Sequence, residues 1–293
     1  MDLFRIALLV FSLFLGIPLA AADSSAAEGV TPTSCGPADS GSPCGGDGPA
    51  SQGNTSGTNQ GAGNPINFIT GNKYQQETDL PALPGVLGLE IVRHYNSTLA
   101  GVNASPGILG RGWRLSYETE LFPVANTLQI MQADGTRIIF IRDPQTPSAC
   151  VTNDPAHGQL AITRGPRGEN YRWTWPNGRI LDFDHRGKLI RIKAPTGEFV
   201  SLAYDLAGVL VKVTDPQGRS LDFGYPARRS HERFNGLVSL DTPAGRFQYS
   251  FGSPRPKNYT GDPRVLLANL VGVAYPDGTR RQYHYEDPRH PAH

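Results

Sequence analysis

Methionine and cysteine are close to missing from this chain: of 293 residues, two are methionine and three are cysteine. No CxxC pair occurs, and no histidine stands at ligand spacing from Cys35, Cys44 or Cys150, so no zinc site is expected. Net charge is only +1, which gives no electrostatic footing for nucleic acid or an acidic membrane surface. The familiar catalytic signatures are lacking too: there is no Gly-x-Ser-x-Gly elbow, Walker loop, HExxH helix or dinucleotide fingerprint. No catalytic residue, metal or cofactor is therefore expected. Helical periodicity is the last absence. Past the first segment, no window of eleven or more residues carries a 3.6-residue period. The 34 glycines and 25 prolines favour strands and turns instead.

What is present begins with an export signal. Arg5 precedes an apolar run from Ile6 to Ala20, and Ala20-Ala21-Ala22 offers a small-residue cleavage site. Residues 1–22 read as a Sec-type signal peptide, with an uncleaved anchor as the alternative. The chain is then extracellular, on the cell surface or periplasmic. Residues 23–63 hold ten glycines, seven serines and four prolines and no Lys or Arg. Such a segment cannot offset the entropy of ordering, so a disordered tether is expected. In an exported chain Cys35 and Cys44 can form a disulfide that staples this tether. Cys150 is left over as a buried thiol, an intermolecular partner or a competitor for either of the others.

From Asn64 the pattern turns to strands. Ile66 and Phe68 share a face, Thr70-Gly71-Asn72 can turn the chain, and Tyr74 and Gln76 begin a return. Alternation resumes through Leu87, Leu89, Ile91, Arg93 and Tyr95. Residues 128–131 and 138–141 read as a hairpin around Ala133-Asp134-Gly135. Farther on, Phe183-Asp184-His185-Arg186-Gly187-Lys188-Leu189 aligns with Tyr204-Asp205-Leu206-Ala207-Gly208-Val209-Leu210 at an offset of 21 residues. The alignment runs on to Ala194-Pro195-Thr196-Gly197 and Asp215-Pro216-Gln217-Gly218. A fixed period near twenty marks stacked supersecondary units. Each unit has two turns and two short strands, a hairpin-like rung that cannot bury its apolar face alone.

Tyr204-Asp205-x-x-Gly208-x-Leu210, followed by Asp215-Pro216-x-Gly218-Arg219, resembles the repeat of the Rhs/YD-repeat family. Asn64-Pro65-Ile66-Asn67, Thr70-Gly71-Asn72, Thr78-Asp79, Arg93-x-Tyr95-Asn96-Ser97 and Leu109-Gly110-Arg111-Gly112-Trp113 resemble the domain that precedes those repeats. The resemblance covers nearly everything from Asn64 onward. It implies an all-β fold: stacked β-hairpin repeats forming part of a spiralling β-sheet shell. Residues 64–165 would be the N-terminal β domain and 166–293 the repeats, incomplete at their end. In polymorphic toxin systems such a shell encloses a C-terminal toxin, and related repeats serve as carbohydrate-binding or adhesive modules. A toxin or a further repeat segment is thus the expected partner, held outside this chain. Cell-surface carbohydrate is the alternative, and self-association through an exposed strand edge is expected in either case. Asp215-Pro216 reads as an ordinary repeat turn and not as the family's cleavage motif.

The candidate residues are structural. Asp184 and Asp205 suit turn formation, with Gly187, Gly208 and Gly218 beside them. Tyr204 heads a repeat, and Asn67 and Gly71 set the opening backbone. Gly112 is a turn seating Trp113, which with Tyr117 locks the first sheet. Asp182 and His185 flank Asp184, but adjacent strand residues point to opposite faces. His94 lacks any partner at metal-ligand spacing. Trp173 and Trp175 share a face at i and i+2. Exposed, they could stack on a sugar; buried, they fill a core layer, with Arg172 and Thr174 on the solvated side.

Overall fold

In the computed structural model, residues 61–62, 66–67 and 72–285 are described, apart from 102, 103, 153, 228–233, 254, 256, 258 and 263. Strands dominate, as the alternation and the turn residues require. β1 (Gly61–Ala62) pairs with β2 (Ile66–Asn67). β3 (Tyr74–Leu80), β4 (Ile91–Asn96) and β5 (Trp113–Leu115) form a three-stranded antiparallel sheet with β4 in the middle. All later strands belong to one sheet. They are β6 (Glu120–Val124), β7 (Thr127–Met131), β8 (Arg137–Arg142), β9 (Ala149–Val151), β10 (Gln159–Gly165), β11 (Gly168–Thr174), β12 (Ile180–Phe183) and β13 (Leu189–Lys193). Then come β14 (Phe199–Tyr204), β15 (Leu210–Thr214), β16 (Ser220–Gly224), β17 (Ser239–Thr242), β18 (Gly245–Phe251), β19 (Leu270–Ala274) and β20 (Arg280–Gln282). Each pairs with the next in sequence, giving a 15-stranded antiparallel meander. A single helical turn, α1 (Arg264–Leu267), interrupts the link from β18 to β19.

The turn of the expected return hairpin from Ile66 to Tyr74, at Thr70 and Gly71, lies outside the described residues. Among the described residues β2 joins β1, and β3 joins β4, whose six residues are all buried. The expected hairpin at 128–141 is present, as β7 and β8 around a turn from Gln132 to Thr136. The expected boundary at 165–166 falls in the tight link between β10 and β11, and the sheet continues across it.

The repeat has a simple physical basis. Five-residue turns recur at Trp175–Arg179, Asp184–Lys188, Ala194–Glu198, Asp205–Val209, Asp215–Arg219 and Tyr275–Thr279. In each the glycine N–H bonds the carbonyl three residues back, and the first N–H bonds the fifth carbonyl. A three-residue loop of this kind needs a left-handed fourth position, which glycine fills without strain. Asp184 Oδ1 accepts the N–H groups of Arg186 and Lys188, and Asp215 Oδ1 those of Gln217 and Arg219. Turn and aspartate therefore come as a unit. Across the strands, Trp173, Leu181, Ile192 and Val200 stand in register on the inner face, as do Leu202, Val213 and Leu221. These rows form one core with residues of the three-stranded sheet.

The sheet also closes onto itself. Leu121 N–H donates to Gly187 O at 2.9 Å, and Lys188 Nζ meets the Glu120 carboxylate. Gly187 has φ +74°, and a Cβ there would lie 1.8 Å from Leu121 O. Gly218, at φ +81°, has nothing within 4 Å. Gly218→Ala is expected to cost about 1–2 kcal/mol, the strain of a left-handed residue with a Cβ. Gly187→Ala must in addition break the contact to β6, so its denaturation midpoint should fall well below that of Gly218→Ala. Equal midpoints would show that this closure contributes nothing.

Candidate functional site

The chemistry-bearing side chains of the molecule converge where the three-stranded sheet meets β18–β20. A bulge in β3 places Thr78 opposite Val92 and Leu80 opposite Ile91, leaving Asp79 as the extra residue. Asp79 and Glu77 both reach Arg93 of β4. Arg93 Nε and Nη2 donate to Asp79 at 2.5 and 2.8 Å, and Nη2 donates to Glu77 at 2.9 Å. The meander supplies the rest. Tyr275 donates to Asp79 at 2.9 Å, Tyr283 donates to Glu77 at 2.7 Å, and Arg281 pairs with Glu77. Arg93 Nη1 donates to the Tyr283 hydroxyl at 2.9 Å. Its guanidinium lies 4.9 Å from the Trp113 ring centre and 5.6 Å from that of Tyr283.

Two guanidiniums face two carboxylates, so the cluster is neutral, and the Arg93, Glu77 and Asp79 side chains are buried. Burial works against the charge on Glu77. The Tyr283 hydroxyl and the Arg93 and Arg281 guanidiniums outweigh it, and hold this carboxyl below the usual range. Burial likewise opposes the charge on Arg93, yet its bonds to Asp79 keep the guanidinium firmly protonated. Trp113 Nε1 completes the contact, donating to Tyr285 at 3.3 Å. The arrangement is a clasp. It ties β3–β5 to a part of the sheet some two hundred residues later in sequence.

On the other face of β4, His94 Nδ1 meets the Tyr74 hydroxyl at 2.8 Å and Nε2 lies 3.4 Å from Ser116 Oγ. The trio suggests a nucleophile and base, but its setting opposes that. Burial pushes the His94 imidazole down to about 3, and the Ser116 hydroxyl donates to Val92 O at 2.9 Å. Asn96 Nδ2 donates to Asp134 O at 2.9 Å, so this face holds the β7–β8 turn. Asp134 accepts from Thr136 N and Oγ1, and burial lifts its carboxyl to about 7.

Among the described residues, two of the cavities that open to the surface hold charged side chains. One, of about 930 Å³, runs along β18–β20 past Arg255, Lys257, Arg281, Tyr283 and His284, and no carboxylate lines it among the described residues. The other, of about 710 Å³, holds Glu118, Glu120, Lys188, Tyr204 and Tyr225. Burial raises the Glu118 carboxyl, but its two oxygens accept the N–H groups of Ile108 and Leu115. Glu120 is paired with Lys188. Both carboxylates are thereby committed to holding loops and strands together.

The residues singled out from the sequence lie mostly at these structural joints. Gly112 has φ +71°, and a Cβ there would meet the Tyr95 ring at 2.7 Å. Trp113 and Tyr117 are buried, and Tyr117 bonds Glu90 O at 3.1 Å. Gly208, like Gly187 and Gly218, has positive φ. Asp205 Oδ1 accepts Val209 N–H at 2.9 Å. Asn67 is in β2; Gly71, Cys35 and Cys44 lie outside the described residues. Cys150 is a half-buried free thiol. The sugar-stacking role of Trp173 and Trp175 requires correction: both rings are buried, 5.3 Å apart, and Trp173 Nε1 donates to His157 O. Strand alternation turns Arg172, paired with Asp182, to the solvent instead.

Tyr204 has a role the repeat alone did not disclose. Its hydroxyl donates to Leu189 O at 2.8 Å, fifteen residues back. Tyr225 does the same to Leu210, and Tyr285 to Leu270. Tyr285 is therefore the later counterpart of Tyr204. The clasp residues Glu77, Tyr275, Arg281 and Tyr283 were also missed. The only sequence signal for them was the Glu-x-Asp pair of β3 set against an arginine in an apolar strand.

Comparison with known families places two segments. Residues 63–140 match a domain of unknown function (DUF6531), and residues 183–220 match the RHS repeat. The first contains Glu77, Asp79, Arg93 and Trp113. The second runs from Phe183 at the end of β12 to Ser220 at the start of β16. No curated protein matches the chain.

Proposed function

Because the chain is an Rhs/YD-repeat protein, its DUF6531 segment typical of that family, we propose that it is an exported wall segment of a β-repeat shell that encloses or presents another polypeptide. The observation that carries this reading is the meander itself. Strand follows strand with no crossover, and its last strands, β19 and β20, are clasped by buried ions to a separate three-stranded sheet. Such a sheet extends by adding rungs, and Arg280–Gln282 present an edge unpaired on its outer side among the described residues. A further repeat segment or a toxin-bearing chain is the partner that fits this edge. Its family is generally structural and not catalytic, which accords with carboxylates tied up in joints. The adhesive reading loses its main support with the burial of Trp173 and Trp175.

The test is co-expression of the full chain with a candidate toxin-bearing or further repeat segment in a bacterial host, followed by fractionation and native mass spectrometry. The expected product is exported, cleaved near Ala22, and carries a protease-protected polypeptide. Retention in the cytoplasm would overturn export. An exported chain that protects nothing but is retained on immobilised glycans would replace the shell reading with the adhesive one.

A further inference from the structure

The outer face of the meander changes character along its length. From β11 to β18 it carries a charge ladder: Arg172 pairs with Asp182, Lys212 with Asp222 and Arg246 with Asp241. From β6 to β9 it does not. There Val124, Thr127, Ile141 and Val151 stand in register across four strands, and Phe122, Gln129 and Ile139 form the adjoining row. Phe122 is 39% exposed, Val124 48%, Ile139 48%, Ile141 40% and Val151 53%. Ala149 and Ala161, paired on β9 and β10, extend the patch. These are five large apolar side chains on one surface, where alternation should have placed polar ones.

We propose that this face of β6–β9 is where a second copy of the chain docks, face to face about a two-fold axis. Three observations select a second copy. The patch contains no charge; its only polar members are Thr127 and Gln129, so no oppositely charged partner is specified. Its border row, Glu120, Met131 and Arg137 with Lys188 on Glu120, carries both signs, so two-fold pairing need not oppose like charges. The area also fits. These exposures leave an apolar patch on the order of a few hundred Å² on one copy. A dimer of standard size covers roughly 800 Å² per partner, a little over half of it apolar. Two sheet faces stack at about 10 Å with their strands nearly aligned, which suits a sheet face presenting Val124, Ile139, Ile141 and Val151.

Light scattering on the purified full-length chain tests this. At tens of micromolar the expected mass is twice that of one chain. Ile139→Lys with Ile141→Lys should return it to one chain mass with an unchanged melting profile. Ile139→Ser with Ile141→Ser should weaken the dimer at least tenfold without adding charge. A wild-type monomer at this concentration overturns the proposal. So does a dimer that survives both pairs of substitutions, which would place the contact at the β20 edge. A chain that dimerises only after residues 1–60 are removed would assign the face to its own leading segment, and the second-copy reading would fail.

Discussion

Arg93→Met is expected to lower the stability of the folded body by about 3–5 kcal/mol, because it leaves Glu77 and Asp79 buried opposite a side chain that cannot answer them. For a body of this size that corresponds to a fall in melting temperature of roughly 10 °C. Arg93→Lys should not rescue it. One ammonium cannot reproduce the fork that reaches Asp79 through Nε and Nη2, Glu77 through Nη2 and Tyr283 through Nη1. The decisive comparison is the triple variant Arg93→Met, Glu77→Gln, Asp79→Asn. Removing the unanswered charges should recover most of the loss in urea denaturation. If the single variant lies within about 1 kcal/mol of wild type, or the triple is no better than the single, the clasp is not held by charge.

Stability alone does not explain why ions are used here, since a well-packed apolar contact would serve as well. The meander suggests a reason. Its rungs repeat every 21 residues, so one stretch of inner face looks much like the next to an apolar plug. Buried polar groups can set one register where apolar surface would accept several. Asp79 with Tyr275, and Glu77 with Tyr283 and Arg281, supply such groups at β19 and β20. In Arg93→Met, faster amide exchange should therefore concentrate in β19 and β20. The turns from Asp184 to Gly218, held by their own aspartates, should change little.

The repeats were legible because their causes are local. An aspartate that bonds its own turn and a glycine with positive φ leave their mark within five residues, so the offset between Phe183 and Tyr204 could be read directly. Trp173 and Trp175 were half legible: their shared face followed from alternation, but not which side was wet. The clasp was illegible for a different reason. Glu77 and Arg281 are 204 positions apart, and no local pattern says that an arginine in a strand will be covered on both sides. β4 shows the difficulty well. Its sequence Ile-Val-Arg-His-Tyr-Asn puts polar groups on both faces, yet all six residues are buried because the sheet covers one face and the β7–β8 turn the other.

That second face should show itself through pH. Asp134, ordinarily near 3.8, is raised by burial to about 7, so the folded state keeps its proton and the contribution is lost as pH rises from about 3.8 through 7. His94, ordinarily near 6.5, is lowered by burial to about 3, so its contribution is present above pH 6.5 and lost as pH falls toward 3. Between about pH 4 and 6.5 the unfolded chain has a charged histidine and a charged aspartate, while the folded chain has both neutral. Each state holds one proton, and the two slopes cancel. Tyr74, Ser116, Asn96 and Thr136 face this pair, and none of these four titrates in that range. Asp134→Asn should unmask the histidine: relative to wild type, stability should rise by about 1.4 kcal/mol per pH unit from pH 4.5 to 6.5. His94→Gln should unmask the aspartate and fall by a similar amount over the same interval. Urea midpoints at the two pH values would then move apart in opposite directions, and profiles parallel to wild type would show that neither group is held neutral beneath the turn.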